Sequence, residues 1–425
     1  MIQQPPSKSQ NNDINRIPSK LQSHNISHIE FVLVIAMLMG INSLGIDIIL
    51  PCLPQINQFL ELKNENHSQH LISFYLIGYG IAQIFYGPLA DRFGRKAVMI
   101  SGLVIYILST IVMITVTSFS GMLSMRLIQG IGGAAPRIIT ISIIRDIYDG
   151  KEMAKVFSMA MMIFMVMPIF APALGQATMS LLGDWIWIFI WMGAITFIIM
   201  MWYYIRFPET LNPRDVRPLN ISLILHSFSL IFTNRLSFFY NIANSLMMGA
   251  ILGFVNSSQQ VYTQVYSFGN LFPLAFAIGG IAIALASFMN SHLVDKFGIR
   301  IVSHYSLLFL LLITGIWLLI QVTSDSPMNL WIFILFVFLS FFQFGLINSN
   351  FSTISMGPFS HLAGTASSVF GFINTLISTL VGIIIGQSFN GTTYPITIGF
   401  FALAVLSYIC IFIAEKGIMF NKKGK

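Results

Sequence analysis

The stretch that decides the fold is Gly87–Lys96, GPLADRFGRK, which stands between two long apolar runs. Four of its last six residues, Asp91, Arg92, Arg95 and Lys96, are charged, although only 9% of the whole chain is charged. Such a concentration of charge is typical of a turn in water, and each neighbouring run is long enough for a helix that crosses a membrane. The stretch therefore predicts a membrane protein with a tight, charged turn at one face of the bilayer.

The rest of the composition extends this prediction. Of 425 residues, 56% are hydrophobic, and apolar runs of about 20 residues, enough to cross a hydrocarbon core of about 30 Å, recur along the chain. Inside lipid each backbone amide must be paired within its own segment, so the spans are helices. We predict an all-α integral membrane protein with twelve spans, at 31–52, 71–90, 97–118, 121–144, 155–181, 185–205, 236–256, 271–294, 301–322, 328–350, 362–387 and 393–415.

The basic residues predict the orientation of these spans. With a cytoplasmic N-terminus, only Lys63 of the 22 Lys and Arg falls in an outer loop, and Arg126 and Arg137 fall within the fourth span. All the others are then cytoplasmic, as the positive-inside rule requires for twelve spans with both ends inside. The net charge of +7 thus records membrane orientation and requires no nucleic acid as a partner.

The charged turn also has a second copy, at Leu293–Arg300 (LVDKFGIR), 204 positions later in the same place of the second half. Two parallel repeats related by an axis along the membrane normal are expected from this spacing. The predicted organisation is a polar cytoplasmic tail, a six-helix bundle, a cytoplasmic linker, a second six-helix bundle and a basic cytoplasmic tail, at 1–30, 31–206, 207–235, 236–416 and 417–425.

These features resemble the major facilitator superfamily, whose signature G-x-L-a-D-r-x-G-r-k is matched by GPLADRFGRK. Further stretches look like its drug:proton antiporter branch, and within it the bicyclomycin/chloramphenicol-resistance (Bcr/CflA) family. They are DIILPCLP from Asp47, RLIQG from Arg126, APALG from Ala171, PETL from Pro208 and AGTASS from Ala363. The resemblance implies the two-bundle major facilitator fold and proton-driven transport of a small molecule.

The resemblance also implies a conformational latch between the two bundles at the charged turns. Its members would be Gly87, Asp91, Arg92, Gly94 and Arg95 in the first copy and Asp295, Gly298 and Arg300 in the second. The latch of the second copy is expected to be weaker because Ile299 stands where the first copy has Arg95. The alternative reading is a turn whose charge only sets the topology.

Asp47 is the one acidic residue that we place within a span. A lone carboxylate in hydrocarbon costs several kcal/mol unless it is protonated, paired or facing water, so it is a candidate for function. Arg126 lies at a similar predicted depth in the fourth span. The family resemblance implies that Asp47 and Arg126 couple transport to protons; a static structural pair is the alternative.

Polar residues within the spans are candidates to line a substrate cavity: Asn42, Tyr79, Gln83, Arg137, Asn244, Gln343 and Asn348. Each of the neutral ones is individually more often an interhelical hydrogen bond than a substrate contact. Arg137, a second cation within the fourth span, favours an anionic or polar substrate, and an Arg that extends to the cytosol is the alternative.

The fifth span carries Pro168, Pro172 and Gly175, which resemble the signature of antiporters in this superfamily. Proline removes backbone donors and glycine allows close packing, so this helix can bend where the halves meet. The resemblance implies export; an ordinary kinked helix is the alternative.

The sequence holds no nucleotide-binding loop, metal cluster or pair of nucleophile and base, so neither an enzyme nor a cofactor or metal is expected. We expect a monomeric, multi-pass protein of the cytoplasmic membrane that uses a proton gradient to export small amphipathic compounds, such as phenicols, bicyclomycin or a siderophore. A proton symporter that imports a nutrient and a non-transporting membrane protein are the alternatives.

Overall fold

A computed structural model describes residues 25–148, 150–216, 228–323 and 327–420. Twelve helices in these ranges are long and apolar enough to cross a membrane, which confirms the predicted all-α class and number of spans. The helices are α1 His28–Asp47, α2 His70–Phe93, α3 Arg95–Thr115, α4 Phe119–Ile147, α5 Gly150–Leu182, α6 Ile186–Arg206, α7 Arg235–Gln260, α8 Phe272–Phe297, α9 Ile299–Thr323, α10 Leu330–Met356, α11 Ala363–Gln387 and α12 Tyr394–Ala414.

The ends of the predicted domains fall partly outside the described residues. Residues 1–24 of the predicted tail, 217–227 of the linker and 421–425 of the basic tail are not described. Within the described part, α1 begins at His28, where the Ser27 hydroxyl accepts a hydrogen bond from the backbone of the first turn. The domain limits and the cytoplasmic location of both chain ends stay predictions.

Each half repeats one packing pattern. In the first half α1 packs on α4, α5 and α6, α2 packs on α4, and α3 packs on α4 and α6. The second half contains the same pairs shifted by six helices: α7 with α10, α11 and α12, α8 with α10, and α9 with α10 and α12. The halves meet mainly where α2 contacts α11 and α5 contacts α8, which are also equivalent pairs. The predicted pseudo-symmetric bundles are thereby confirmed.

The two charged turns have nearly the same backbone conformation. Gly94 has φ 96° and ψ 151°, and Gly298 has φ 88° and ψ 153°. A positive φ of this kind strains any residue with a Cβ, so glycine lets each chain reverse directly from one span into the next. We call the end of the bundle that holds these glycines the inner face and the opposite end the outer face; the charge pattern predicts that the inner face is cytoplasmic.

Close packing of α2 on α4 depends on Gly130, and its replacement by Ala is expected to destabilise the protein. A methyl group there would overlap the Tyr75 carbonyl oxygen of α2. Overpacking of this kind costs about 1–3 kcal/mol, which corresponds to a thermal midpoint lower by roughly 5 °C. Gly193→Ala is the control, because its methyl group would lie 3.7 Å from Thr110. Equal midpoints for the two variants in detergent would contradict this account of the helix contact.

Candidate functional site

Asp47 is the last residue of α1 and the most buried acidic residue that the structure describes, with 6% of its surface exposed. The helix ends there because Pro51 has no backbone N–H to donate to the carbonyl of Asp47, four residues earlier. A 3-10 turn, Leu50–Cys52, follows. The Ser43 hydroxyl donates a hydrogen bond of 2.9 Å to Asp47 Oδ2. The carboxyl group is therefore held at a helix break by a neutral donor.

Arg126 is fully buried in the core of the first half. Its Nη1 donates to the Gly45 carbonyl oxygen of α1 at 3.1 Å and to Gln129 Oε1 at 2.6 Å. Gln129 in turn donates through Nε2 to the Thr110 hydroxyl of α3 at 2.6 Å. These bonds connect α1, α3 and α4 through one guanidinium group.

Two aromatic rings complete the surroundings of Arg126. Its guanidinium carbon lies 5.6 Å from the centre of the Tyr75 ring and 5.5 Å from that of Phe189. Ring faces carry negative electrostatic potential, so both contacts favour the cation where water is absent. The rings explain how a buried charge is accommodated although no acidic side chain of the described residues forms an ion pair with it.

Asp47 and Arg126 do not form an ion pair in this conformation. The four ion pairs found among the described residues, at N–O distances of up to 4.0 Å, do not include them. Nε and Nη2 of Arg126 are buried and have no hydrogen-bond partner among the described residues. Because Arg126 is bonded to Gly45, two residues before Asp47, the guanidinium lies beside the break in α1 with unused donors.

Three of the predicted cavity residues lie along α2, where its side chains bond to residues of α1 and α11. Asn42 Oδ1 accepts a hydrogen bond of 3.1 Å from the Tyr75 hydroxyl, and the Tyr79 ring stacks on Tyr75 with 6.5 Å between centres. Gln83 Nε2 donates to the Thr375 hydroxyl of α11 at 2.9 Å, across the boundary between the halves. Gln83 is therefore at the contact of the two bundles, and Asn42 and Tyr79 surround Tyr75 within the first half.

The other predicted cavity residues lie on α4, α7 and α10. Arg137 is half-buried, and its Nη1 lies 3.4 Å from Met161 Sδ on α5. Asn244 on α7 is buried, and its Oδ1 has no hydrogen-bond partner among the described residues. On α10, Gln343 is half-buried and Asn348 is exposed. Their role as substrate contacts remains a prediction.

The predicted latch of the first copy is an ion-pair network at the inner face. Arg95 is buried and pairs with Asp91 on α2 and, through Nε at 2.9 Å, with Asp146 Oδ2 at the end of α4. The Glu209 carboxylate accepts hydrogen bonds from the backbone N–H groups of Arg95 and Lys96 at 2.9 and 3.0 Å. In this conformation the network joins elements of the first half to one another.

The remaining latch residues differ in their surroundings. Arg300 Nε pairs with Glu415 Oε1 at 3.2 Å, and Glu415 also accepts a hydrogen bond of 2.7 Å from the Tyr240 hydroxyl. These contacts stay within the second half. Asp295 and Arg92 are exposed. A methyl group at Gly87 would lie 3.5 Å from the Ser368 hydroxyl oxygen of α11, so this glycine is placed at the boundary between the halves.

The predicted antiporter signature lies on α5 between the two halves. Pro168 and Pro172 are inside the helix, which continues through both. Ile169 lies against Gly280 of α8 in the second half. A methyl group at Gly175 would overlap the Ile48 carbonyl oxygen, directly after Asp47. The segment thus contacts both the opposite half and the break in α1.

A cluster of buried amides at the outer face was not predicted from the sequence. This outer amide cluster comprises Asn66, Gln69, Gln260 and Gln387. Gln69 Nε2 donates to Gln260 Oε1 at 2.5 Å, and Gln260 Nε2 donates to Asn66 Oδ1 at 2.9 Å. Gln387 Nε2 donates to the Asn66 carbonyl oxygen at 2.6 Å, and Asn66 Nδ2 donates to that of Phe389 at 2.7 Å.

All these bonds cross between the halves, from the start of α2 to the ends of α7 and α11. Gln264 extends the contact with a hydrogen bond of 2.5 Å from its Nε2 to Glu65 Oε2. Gln69 is only 1% exposed, so water does not compete for its bonds. The two halves are therefore joined at the outer face in this conformation. The sequence feature that could have predicted this cluster is the presence of Asn and Gln residues at the predicted outer ends of three spans.

Fold and site together define a polytopic membrane protein of two six-helix halves, with a buried acid and a buried base in the first half. A sequence profile of the Major Facilitator Superfamily matches residues 35–383. The chain belongs to the Major Facilitator Superfamily, a family of transporters of small molecules.

The relatives agree with the predicted branch. The chain is 25% identical over 383 residues to a bicyclomycin resistance protein homolog of Haemophilus influenzae, covering 90% of this chain and 95% of the relative. It is 31% identical over 344 residues to multidrug resistance protein MdtL of Citrobacter koseri, covering 79% and 83%. A solved D-xylose-proton symporter is similar with a TM-score of 0.69 at 16% identity, covering 93% and 100%, which shows the shared fold.

Proposed function

We propose that the protein is a proton antiporter that exports small amphipathic organic compounds from the cytosol by alternating access. It works as a monomer in the cytoplasmic membrane, with both chain ends in the cytosol. Its substrates are drugs of the phenicol or bicyclomycin kind, or a metabolite such as a siderophore. The printed names of the relatives, a bicyclomycin resistance homolog and a multidrug resistance protein, support this substrate class.

The observation that carries the proposal is the state of two buried groups near the break in α1: Asp47 accepts a hydrogen bond from Ser43, and Arg126, bonded to the Gly45 carbonyl, has two buried nitrogens without a partner among the described residues. A carboxyl with one neutral partner tolerates burial when it is protonated, and a guanidinium with unused donors offers the deprotonated form an ion pair. Asp47 then has the two states of a proton carrier. In the protonated state it is bonded to Ser43, and in the deprotonated state it is paired with Arg126. Transfer between them requires a conformational change at the helix break that brings the carboxylate to the guanidinium.

The outer amide cluster supports assignment of this conformation as the inward-facing one. It joins the halves at the outer face, so the space between them is closed on that side in this conformation. Opening the outer face requires the bonds of Gln69, Gln260 and Asn66 to separate. In the outward-facing state the charged turns at Asp91 and Asp295 close the inner face, and α2 stays against α11 at Gly87, where the two helices already meet.

We infer export over import because the Pro168–Gly175 segment resembles the antiporter signature; it also contacts the opposite half and the residue after Asp47. Bending of α5 at its prolines changes both contacts together, so the proton site and the boundary between halves respond as one unit. Polar groups of Asn42, Gln83 and Asn244 are available to hydrogen-bond a substrate in the opened space.

The proposal is tested by drug accumulation in a sensitive bacterial host. Cells that express the protein should accumulate less labelled chloramphenicol or bicyclomycin than cells with an empty vector, and a protonophore should remove the difference. A symporter would instead raise accumulation in a gradient-dependent way. Unchanged accumulation across a panel of amphipathic antibiotics, with the protein present in the membrane, would contradict export of this substrate class.

A further inference from the structure

A buried histidine near the inner face of the second half has no part in the proposed transport cycle. His304 stands on the second turn of α9 and is 1% exposed. Its Nε2 lies 2.8 Å from the Tyr240 hydroxyl oxygen of α7, and its Nδ1 lies 3.3 Å from the backbone nitrogen of Phe420, beyond the end of α12. Both ring nitrogens are therefore engaged by other parts of the chain, away from water.

The tail segment, Lys416–Phe420, folds back from the end of α12 onto α9. The chain reverses at Lys416 and Gly417, whose φ angles are 55° and 78°. The Phe420 ring then meets the His304 ring edge to face, with 5.9 Å between centres, and packs on the Tyr305 ring at 4.8 Å. The Phe420 backbone also has a positive φ, 65°, which a residue with a Cβ keeps only where contacts hold it. The contact with α9 therefore determines where the tail segment lies.

The donors and acceptors at the two ends of this hydrogen-bond chain determine the protonation of His304. At one end the Phe420 N–H can only donate, so Nδ1 must be an acceptor without a proton. At the other end the Glu415 carboxylate, paired with Arg300 at 3.2 Å, can only accept, so the Tyr240 hydroxyl donates to it at 2.7 Å. The same hydroxyl then accepts from Nε2–H. The contact thus requires the neutral imidazole with its one proton on Nε2.

The charged surroundings of His304 also favour the neutral ring. Glu415 is already paired with Arg300, and a proton on His304 would add a second cation four residues after Arg300 on α9, where like charges repel. Arg235 at the start of α7 donates to the Ala414 carbonyl oxygen at 3.1 Å. α10 packs on α9 and contains no ionisable residue. Toward the inner face, α8 and α12 carry exposed or half-buried ionisable residues: His292, Asp295, Lys296, Tyr408 and Cys410.

We propose that His304 is a proton sensor at the inner face, which the charge pattern predicts to be cytoplasmic, and that it controls the contact of the tail segment with α9. A proton can bind only at Nδ1, because Nε2 already carries one. The Nδ1–H then points at the Phe420 N–H, the hydrogen bond between them is lost, and the tail segment leaves α9. One proton is bound for each tail segment released. The sensor is separate from Asp47 and depends neither on proton coupling nor on the transported substrate.

The test is hydrogen exchange of the purified full-length protein in detergent, measured by mass spectrometry on peptides that contain Phe420. After correction for the intrinsic pH dependence of exchange, the Phe420 amide should be protected at about pH 8 and should lose that protection toward about pH 5, the range in which histidine gains a proton. Binding of one proton on release limits the change to about tenfold per pH unit. His304→Asn keeps an acceptor oxygen near the position of Nδ1 but cannot be protonated, so its protection should not change with pH.

Three further variants assign the effect to this site. His292→Asn removes an exposed histidine from the inner end of α8 and should keep the wild-type pH profile. Asp47→Asn should keep it as well, so the result is independent of proton-coupled export. Phe420→Ala removes the ring that packs on α9 and should lower protection at every pH, with an unchanged thermal midpoint.

The wild-type profile alone can overturn the proposal, even where a variant at His304 does not fold. Corrected protection that stays constant from about pH 8 to about pH 5 means that His304 does not control the contact. A wild-type profile retained by His304→Asn, or lost in His292→Asn, would assign the pH dependence to another group and overturn it too.

Discussion

Replacement of Asp47 by Asn is expected to abolish gradient-driven export while leaving the protein folded. The amide retains the oxygen that accepts the Ser43 hydrogen bond and has nearly the same volume, but it neither releases a proton nor pairs with Arg126 as an anion. A membrane potential of 100 mV acting on one net charge amounts to about 2.3 kcal/mol, or roughly a 50-fold concentration ratio. In proteoliposomes the wild type should concentrate labelled substrate toward that limit, and the variant should only equalise it.

Counterflow exchange without a gradient is the control for this variant. Because substrate binding and the movement of the halves do not require proton release, Asp47→Asn should still exchange labelled for unlabelled chloramphenicol. Loss of both activities with a normal thermal midpoint would assign Asp47 to substrate binding. If Asp47→Asn still concentrates substrate, Asp47 does not couple transport to protons.

Cross-linking the outer amide cluster is expected to stop transport completely. Gln69→Cys with Gln260→Cys, in a background with Cys52→Ala and Cys410→Ala, places two thiols where the wild-type side chains are hydrogen-bonded across the halves. Both native cysteines are free thiols, so they must be removed first. A short bismaleimide should then join the halves at the outer face. Since the outward-facing state requires their separation, both concentrative transport and counterflow should fall to background.

A matched pair within one half provides the control. Gln321→Cys with Thr393→Cys joins α9 to α12 at the same face, where the Thr393 hydroxyl donates to Gln321 Oε1 at 2.8 Å. These helices belong to one bundle and move together, so cross-linking should leave transport near its level before treatment. Transport that survives the cross-link between Gln69 and Gln260 would contradict the assignment of the outer face as a gate.

Much of the fold was predictable because it depends on local properties of the sequence. The length of each apolar run determines a span, and the charged turn at Asp91 and its copy at Asp295 revealed the repeat. Positive φ at both Gly94 and Gly298 explains why both copies contain this glycine. The burial of Asp47 and Arg126 also followed from their positions within spans.

The sequence was less informative about which side chains meet. Gln69 and Gln260 are 191 positions apart, and no local periodicity pairs amides at the ends of different spans. Arg126 is a second example: its bonds to Gly45 and Gln129, instead of to Asp47, depend on rotamers and on the ring faces of α2 and α6. The contacts of the latch residues were also not predictable from the sequence, because they depend on the conformation in which the two halves are found.

The most direct measurement is proton movement during transport by the reconstituted protein. Proteoliposomes loaded with a pH-sensitive dye and an acidic lumen receive external chloramphenicol or bicyclomycin, whichever the host assay identifies as a substrate. Our account predicts that substrate influx makes the lumen of wild-type vesicles more alkaline, and that Asp47→Asn vesicles show no pH change. Substrate accumulation by the wild type without any change in lumenal pH would contradict proton exchange.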